Sequence, residues 1–211
     1  MKPFALKSQV KEALISASIW NERVEEALLR SILSHRYHIR DDGTPYLEQH
    51  IFPMVLRVIE ADPLAEGLEN LVILTFLHDA YEKDPYFSIE VIEEYFGKEI
   101  AENIVAITEE PKRGLKNLHE RMASNKAYVK KVGKAATHVK IVKLESWLNN
   151  LMSTELLHDI EKYELLIEKA ELLYLPFAKT VSTKYIKELE SEVKRLKELV
   201  KSRKEQHQNG L

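Results

Sequence analysis

Helical periodicity runs through almost the whole chain, and it restricts the fold more than any other feature of the sequence. Apolar residues recur three and four positions apart in successive segments, which is the spacing of one face of an α-helix. Glycine and proline, which interrupt helices, number only 6 and 7 among the 211 residues. The β-branched alternation that is typical of strands is rare. We therefore predict an all-α fold.

The predicted helices are separated by short breaks with turn-forming residues. An Asp-Gly pair and a proline indicate a loop over residues 40–46, and Asp-Pro pairs break the chain again at 62–63 and 84–85. Residues 110–124 are predicted to be irregular and then partly helical. Helices are predicted over residues 6–20, 21–38, 48–61, 67–79, 88–96, 98–109, 134–152, 155–174 and 182–205.

The last predicted helix carries a heptad pattern over about three heptads. Such a seam either packs on its own domain or pairs with a second copy of the chain. We favour a homodimer, because the rest of the surface of this helix is mostly charged. The chain would then consist of a helical domain over residues 1–175 and a C-terminal amphipathic helix over 176–211 that can act as a dimerisation element. The seam residues are Ile186, Leu189, Val193, Leu196 and Val200.

Composition excludes several classes of protein. The chain has no cysteine, which rules out a disulfide scaffold and a thiolate metal site. Residues 1–20 are charged and amphipathic and lack the apolar core of a signal peptide. No run of about 18 apolar residues is present, so no membrane span is expected. We expect a cytoplasmic protein.

Charge is unevenly distributed along the chain. Residues 60–110 contain 14 acidic side chains, whereas residues 112–143 contain ten lysines and arginines against one glutamate. The basic segment either binds a polyanion, such as the phosphates of a small molecule, or balances the acidic segment within the fold. Few aromatic residues alternate with these lysines, which argues against binding of nucleic acid.

One segment combines an apolar run with groups that can bind metal. The run Leu71–Leu77 ends in His78 and Asp79, and Glu82 follows three residues later. Burying a carboxylate costs several kcal/mol unless it has a partner. A divalent metal is one such partner, because neutral histidine and ionised aspartate are common ligands of Zn, Mn and Fe. In the other interpretation, His78 caps a helix and Asp79 begins a loop.

A set of short motifs within residues 24–152 resembles a known family. A Gly-Thr-Pro-Tyr loop leading to a histidine, then Leu-His-Asp and then Phe-Gly, is specific as a set, although each piece is weak alone. The set resembles the HD-domain metal-dependent phosphohydrolases, and within them the (p)ppGpp hydrolases of the Rel/Spo type and their small stand-alone alarmone hydrolase relatives. The matching segments are His35, 40–50, 77–79 with Glu82, 95–100, 105–108, 142–144 and 150–151.

The resemblance implies an HD-type helical bundle with a Mn²⁺ site, or a site for another divalent metal. By position, His50, His78 and Asp79 would be three of the ligands. The family has an aspartate on a late helix as a further ligand, and this chain has Ser146 there. Glu145 lies one residue earlier, about 100° around the helix. Glu145 and Ser146 therefore remain possible substitute ligands.

The resemblance also implies roles around the metal. Glu82 would be the catalytic carboxylate that acts on the attacking water, whereas the family's next acidic residue is replaced by Lys83. Arginine at the position of Arg40 lies against the nucleobase in the family. The implied substrate-binding residues are Arg40, Tyr46, Lys143 and Asn150.

The implied function is hydrolysis of a phosphorylated nucleotide. A (p)ppGpp-like guanosine 3′-diphosphate nucleotide, or a related one, would lose pyrophosphate. Because Ser146 and Lys83 depart from the family pattern, the alternative is a catalytically degenerate HD fold that binds a nucleotide or regulates a partner. A second His-Asp pair at 158–159 follows no matching loop, and we predict that it lies on the surface.

Overall fold

The computed structural model describes residues 3–40, 42–62, 64–109, 118–153 and 160–209. These residues form helices joined by short turns, so the predicted all-α fold is confirmed. Contacts divide the chain into two compact units, 1–145 and 146–211. The predicted domain boundary between residues 175 and 176 stays a prediction, and the two compact units meet at a different place in the chain. None of the described helices is both long and apolar enough to cross a membrane.

The first unit contains most of the helices. A π-helical turn, Leu47–Ile51, runs directly into the third α-helix. The last helix that begins in this unit, α9, continues into the second unit. The helices are α1 (Pro3–Ser16), α2 (Glu22–His35), α3 (Phe52–Ala61), α4 (Leu68–Leu77), α5 (Ala80–Lys83), α6 (Ile89–Phe96), α7 (Lys98–Ile107), α8 (Leu118–Val132) and α9 (Thr137–Met152).

Helix α4 is the centre of the first unit. Eight of its ten residues are buried, and it contacts α2, α3 and α7. A helix that is apolar on all sides is stable only when other helices surround it. Its first turn starts at Gly67, which has a left-handed backbone with a φ of 75°. Its last turn leads directly to His78 and Asp79, and α4 therefore carries these two residues at the edge of the core.

Local capping fixes where neighbouring helices begin. The Asn21 side chain accepts a hydrogen bond of 3.0 Å from the Val24 amide at the start of α2. The Ser88 hydroxyl accepts one of 3.4 Å from the Val91 amide at the start of α6, as its sequence position predicts. Gly97, with a φ of 85°, makes the sharp turn between α6 and α7.

Helix α8 is longer than the sequence predicted. Partial helix was expected only up to residue 124, whereas α8 extends to Val132. The buried positions are Asn125, Tyr128 and Val132, at helical spacing. Because the first of these buried residues is a polar asparagine, the sequence does not show the helical spacing of apolar residues in this segment. The Tyr128 hydroxyl donates a hydrogen bond to the carbonyl of Ile107 and so ties α8 to the end of α7.

The second unit shows where the heptad seam packs. Leu189, Val193, Leu196 and Val200 are buried. The helix that carries them contacts α10, the π-helical turn and α11 of the same unit. The seam is therefore used within one chain, and the homodimer stays a prediction. The helical segments are α10 (Ile160–Lys169), the π-helical turn Ala170–Tyr174, α11 (Leu175–Ala178) and α12 (Thr183–Asn209).

Candidate metal site

Three side chains with metal-binding atoms converge at the end of α4. His50, His78 and Asp79 each offer a ligand atom, and these atoms lie within 4.8 Å of one another. His78 Nε2 is 3.2 Å and His50 Nε2 is 3.9 Å from Asp79 Oδ2. Both histidines are 1% exposed, whereas the Asp79 side chain is 20% exposed. The group is thus almost buried, with its carboxylate at the opening.

The π-helical turn brings His50 to this group. Such turns hold an extra residue and are frequent at functional sites. The turn follows a tight loop, in which the Arg40 amide donates to the Thr44 carbonyl at 2.9 Å and the Tyr46 amide donates to the His38 carbonyl at 3.0 Å. Both Tyr46 and His50 therefore enter the site from one short, well-bonded segment.

His78 is oriented for metal binding. Its Nδ1 lies 2.9 Å from the Thr75 carbonyl, which can only accept a hydrogen bond, so Nδ1 carries the proton. Nε2 is then left with its lone pair. This atom is buried and makes no hydrogen bond within the described part of the chain, although it lies 3.2 Å from Asp79 Oδ2. A buried imidazole fixed in this way by a backbone carbonyl is the usual arrangement of a metal ligand.

Asp79 is ionised. Burial alone would raise its pKa, but His78, then His50 and Lys143, hold the pKa of Asp79 well below its usual value. The site therefore offers two imidazole side chains and one carboxylate. This donor set fits a divalent cation such as Mn²⁺, Fe²⁺ or Zn²⁺.

A stack of three rings lies beside the group. The centroids of His38 and Tyr46 are 4.1 Å apart, and those of His35 and Tyr46 are 4.8 Å apart. Burial lowers the pKa of His35 to about 4, so this histidine is neutral. Loss of solvation, followed by the charge of Lys83, lowers the pKa of His38 as well. The ring of His38 is thus half-buried in the stack.

The Tyr46 hydroxyl donates a hydrogen bond to Asp79 Oδ2. Burial, and then the Asp79 charge, raises the pKa of Tyr46 well above its usual value, so the phenol stays protonated. The ring of Tyr46 also lies 4.9 Å from that of His50. The substrate-binding role of Tyr46 stays a prediction, and its hydroxyl contacts a candidate metal ligand.

Glu82 lines a cleft and is close enough to Asp79 to feel its charge. One of its carboxylate oxygens accepts a hydrogen bond of 3.2 Å from the Glu109 amide. Loss of solvation, and then the negative charge of Asp79, raises the pKa of Glu82, whereas Lys143 and Lys83 act in the opposite direction. A carboxylate with a raised pKa is a stronger base than an ordinary one.

The cleft beside Glu82 has a volume of about 680 Å³, within the range of small-molecule sites. Lys131 is one of the lining residues, and its ammonium donates to the carbonyls of Val105 at 2.9 Å and Thr108 at 3.1 Å. The cleft is lined by Tyr81, Glu82, Asp84, Pro85, Phe87, Ser88, Val105, Thr108, Glu109 and Lys131.

Two cations, Arg40 and Lys143, are close enough to the site to act on its side chains electrostatically. The Arg40 guanidinium is 5.9 Å from the centroid of the Tyr46 ring and 3.9 Å from the Asp42 carboxylate. Lys143 lies 4.9 Å from the centroid of the Tyr128 ring and is close enough to Asp79 and Glu82 to affect both pKa values.

Glu145, one of the two possible substitute ligands, has another partner. It is fully buried, and its carboxylate accepts a hydrogen bond of 2.7 Å from Arg57 Nε. Among the described residues, the group of potential ligands at this site contains His50, His78 and Asp79 but not Glu145. Sequence reasoning missed Arg57, because nothing in a sequence links residues 88 positions apart.

The other predicted site residues fall outside this unit. Ser146 and Asn150 belong to the second unit, where Ser146 is buried. Their roles as a possible ligand and as a substrate-binding residue stay predictions. The His-Asp pair at 158–159 lies outside the described residues.

Comparison with known proteins identifies a structural relative. No family model matches the chain. A solved structure, described as "A metazoan ortholog of SpoT hydrolyzes ppGpp and plays a role in starvation responses", matches over 83% of this chain and 96% of its own, with a TM-score of 0.63. The identity is 18%, so the likeness shows the fold alone. The predicted HD-type helical bundle is confirmed at that level.

Proposed function

We propose that the protein is a metal-dependent phosphohydrolase that removes pyrophosphate from a (p)ppGpp-like guanosine 3′-diphosphate nucleotide or a related nucleotide. The observation that carries the proposal is the convergence of His50, His78 and Asp79, with one imidazole already fixed by the Thr75 carbonyl. The structural relative is described as hydrolysing ppGpp, which supports this class of substrate.

His50, His78 and Asp79 would hold the cation, for which Mn²⁺ is the first candidate. A divalent cation there would lower the pKa of a water molecule and offset the negative charge on a phosphoryl oxygen. The 20% exposure of the Asp79 side chain leaves the group open to a ligand from outside.

Glu82 would act on the attacking water. Its raised pKa suits a general base, because it accepts the proton more readily than an ordinary carboxylate. The water oxygen forms a bond to the phosphorus next to the ribose, and the bond between that phosphorus and the 3′-oxygen breaks. The 3′-oxygen takes up a proton, and the products are a nucleotide with a free 3′-hydroxyl and pyrophosphate.

The cations around the group would bind the substrate. Lys143 lies near both Asp79 and Glu82, where it can offset phosphate charge. Lys83, which acts electrostatically on His35 and His38, would add further positive charge for the phosphates. The planar guanidinium of Arg40 suits stacking on a nucleobase, and Asn150 stays the predicted ribose contact.

The ligand set also supports a second candidate function, a nucleotide-binding regulator without catalysis. Among the described residues, the group holds one carboxylate, and Glu145 is paired with Arg57 instead of adding a second. A set of metal ligands with less negative charge binds a hard cation more weakly. Such a regulator would bind the nucleotide whether or not a chelator is present.

Turnover of a defined nucleotide separates the two functions. Protein loaded with Mn²⁺ is incubated with guanosine 3′,5′-bis(diphosphate), and pyrophosphate is measured. The hydrolase predicts release that needs the metal and that is lost in Asp79→Asn and strongly reduced in Glu82→Gln. Lys98→Gln, an exposed substitution on α7, is the control. Binding of the nucleotide without release of pyrophosphate would favour the regulator, and full activity of Asp79→Asn would contradict the proposed metal site.

A further inference from the structure

We propose that Tyr46 is a positioning residue, which holds the carboxylate of Asp79 in the orientation that binds the metal. The inference rests on the proposed metal-dependent function. It assigns to Tyr46 a role toward a ligand of the metal, in addition to the substrate contact that the sequence predicts. The carrying observation is the hydrogen bond from the Tyr46 hydroxyl to Asp79 Oδ2.

The hydrogen bond from Tyr46 is made to the oxygen of Asp79 that lies closest to the two histidines. Oδ2 of Asp79 is also the atom nearest to His78 Nε2, at 3.2 Å, and lies 3.9 Å from His50 Nε2. A proton donor on this oxygen therefore fixes the carboxylate relative to both imidazoles. A carboxylate has several lone pairs, so the same oxygen can accept from the phenol and still bind a cation.

Asp79 has little local support. It is the residue between α4 and α5, and its side chain makes no capping hydrogen bond to α5. The two imidazoles lie 3.2 Å and 3.9 Å from its Oδ2, and with a cation bound their Nε2 lone pairs would point to the cation and would not donate to Asp79. Of the side chains in the described residues, the phenol of Tyr46 is then a donor to Asp79 that would remain in place with the site filled.

Tyr46 itself is held firmly. Its amide bonds to the His38 carbonyl at 3.0 Å, and an antiparallel bridge pairs Ile39 with Pro45 at the base of the same loop. Its ring lies between neighbours, 4.1 Å from His38 and 4.8 Å from His35. A rigid aromatic ring with two side-chain torsions loses little entropy when it makes the bond. Support of this kind around a ligand typically contributes about tenfold to a hundredfold in metal affinity.

The substitution Tyr46→Phe tests the role, because it keeps the ring in the stack and removes only the donor. The control is Tyr37→Phe, which removes a hydroxyl from a ring that is 84% exposed. Metal-free protein is titrated with Mn²⁺ by calorimetry, and unfolding in urea with a chelator present checks that both variants fold. We expect Tyr46→Phe to bind Mn²⁺ about tenfold to a hundredfold more weakly, with Tyr37→Phe unchanged.

The outcomes distinguish the inference from the function on which it rests. If the unsubstituted protein binds Mn²⁺ and Tyr46→Phe binds it equally well, the positioning role is wrong and the metal-dependent function stands. Equal weakening in Tyr37→Phe would also overturn the role, because the effect would then not be specific to Asp79. If the unsubstituted protein binds no Mn²⁺, both the positioning role of Tyr46 and the proposed metal-dependent function are wrong.

Discussion

Acidification should destabilise the metal-free protein through His35. This residue ends α2, is 2% exposed, and lies with Nδ1 3.2 Å from Nδ1 of His38. Burial lowers the pKa of His35 from 6.5 to about 4. The folded protein therefore keeps the imidazole neutral at pH values where the unfolded chain has already taken up a proton.

The difference between the pKa values of His35 in the unfolded and folded states sets the direction and the size of the change in stability with pH. Between about pH 6.5 and pH 4 the unfolded state binds more protons at this position, so the free energy of unfolding falls as the pH falls. Above pH 6.5 the residue has no effect on the pH dependence. A difference between 6.5 and about 4 corresponds to about 3 kcal/mol once the pH is below the folded value.

Urea unfolding at a series of pH values in the presence of a chelator measures this loss. His35→Phe keeps a ring in the stack with Tyr46 and removes the titrating group. We expect the variant to lose clearly less stability than the unsubstituted protein between about pH 7 and pH 4.5. Parallel curves for the two proteins would refute the reasoning, because His35 would then titrate alike in both states.

Two further predictions concern packing around the site. Arg57→Ala should lower the free energy of unfolding by about 2 kcal/mol or more, since it removes a hydrogen bond to the fully buried Glu145 carboxylate. A double-mutant cycle with Glu145→Gln checks it, and additive effects would contradict it. Gly67→Ala should cost about 1–3 kcal/mol in chemical denaturation, because the new Cβ would lie 2.8 Å from the His138 ring at a φ of 75°. Gly43→Ala, with a φ of 80° and no atom within 4 Å, should cost less, and an equal cost would point to backbone strain alone.

The sequence predicted the features that are local. The apolar run of α4 continues to His78 and Asp79, and both the burial of the run and the place of the two residues follow from that order. Helical periodicity likewise located most of the helices. The heptad pattern of α12 was also visible, but a seam looks the same whether it pairs with a second chain or with α10.

What the sequence could not predict depends on contacts between distant residues. Tyr46 and Asp79 are 33 positions apart. Their hydrogen bond depends on how the loop over residues 40–46 packs near the end of α4. The pairing of Glu145 with Arg57 was hidden in the same way, which is why Glu145 remained a possible ligand. The length of α8 was missed because a buried asparagine, Asn125, occupies a core position.

The most direct test of the metal site is metal content. Protein purified without added metal, and the same protein dialysed against Mn²⁺, are analysed for transition metals beside Asp79→Asn. If His50, His78 and Asp79 hold the cation, the unsubstituted protein should contain about one equivalent per chain, and the variant should contain much less. An unsubstituted protein that stays free of metal after dialysis against Mn²⁺ would contradict the central claim.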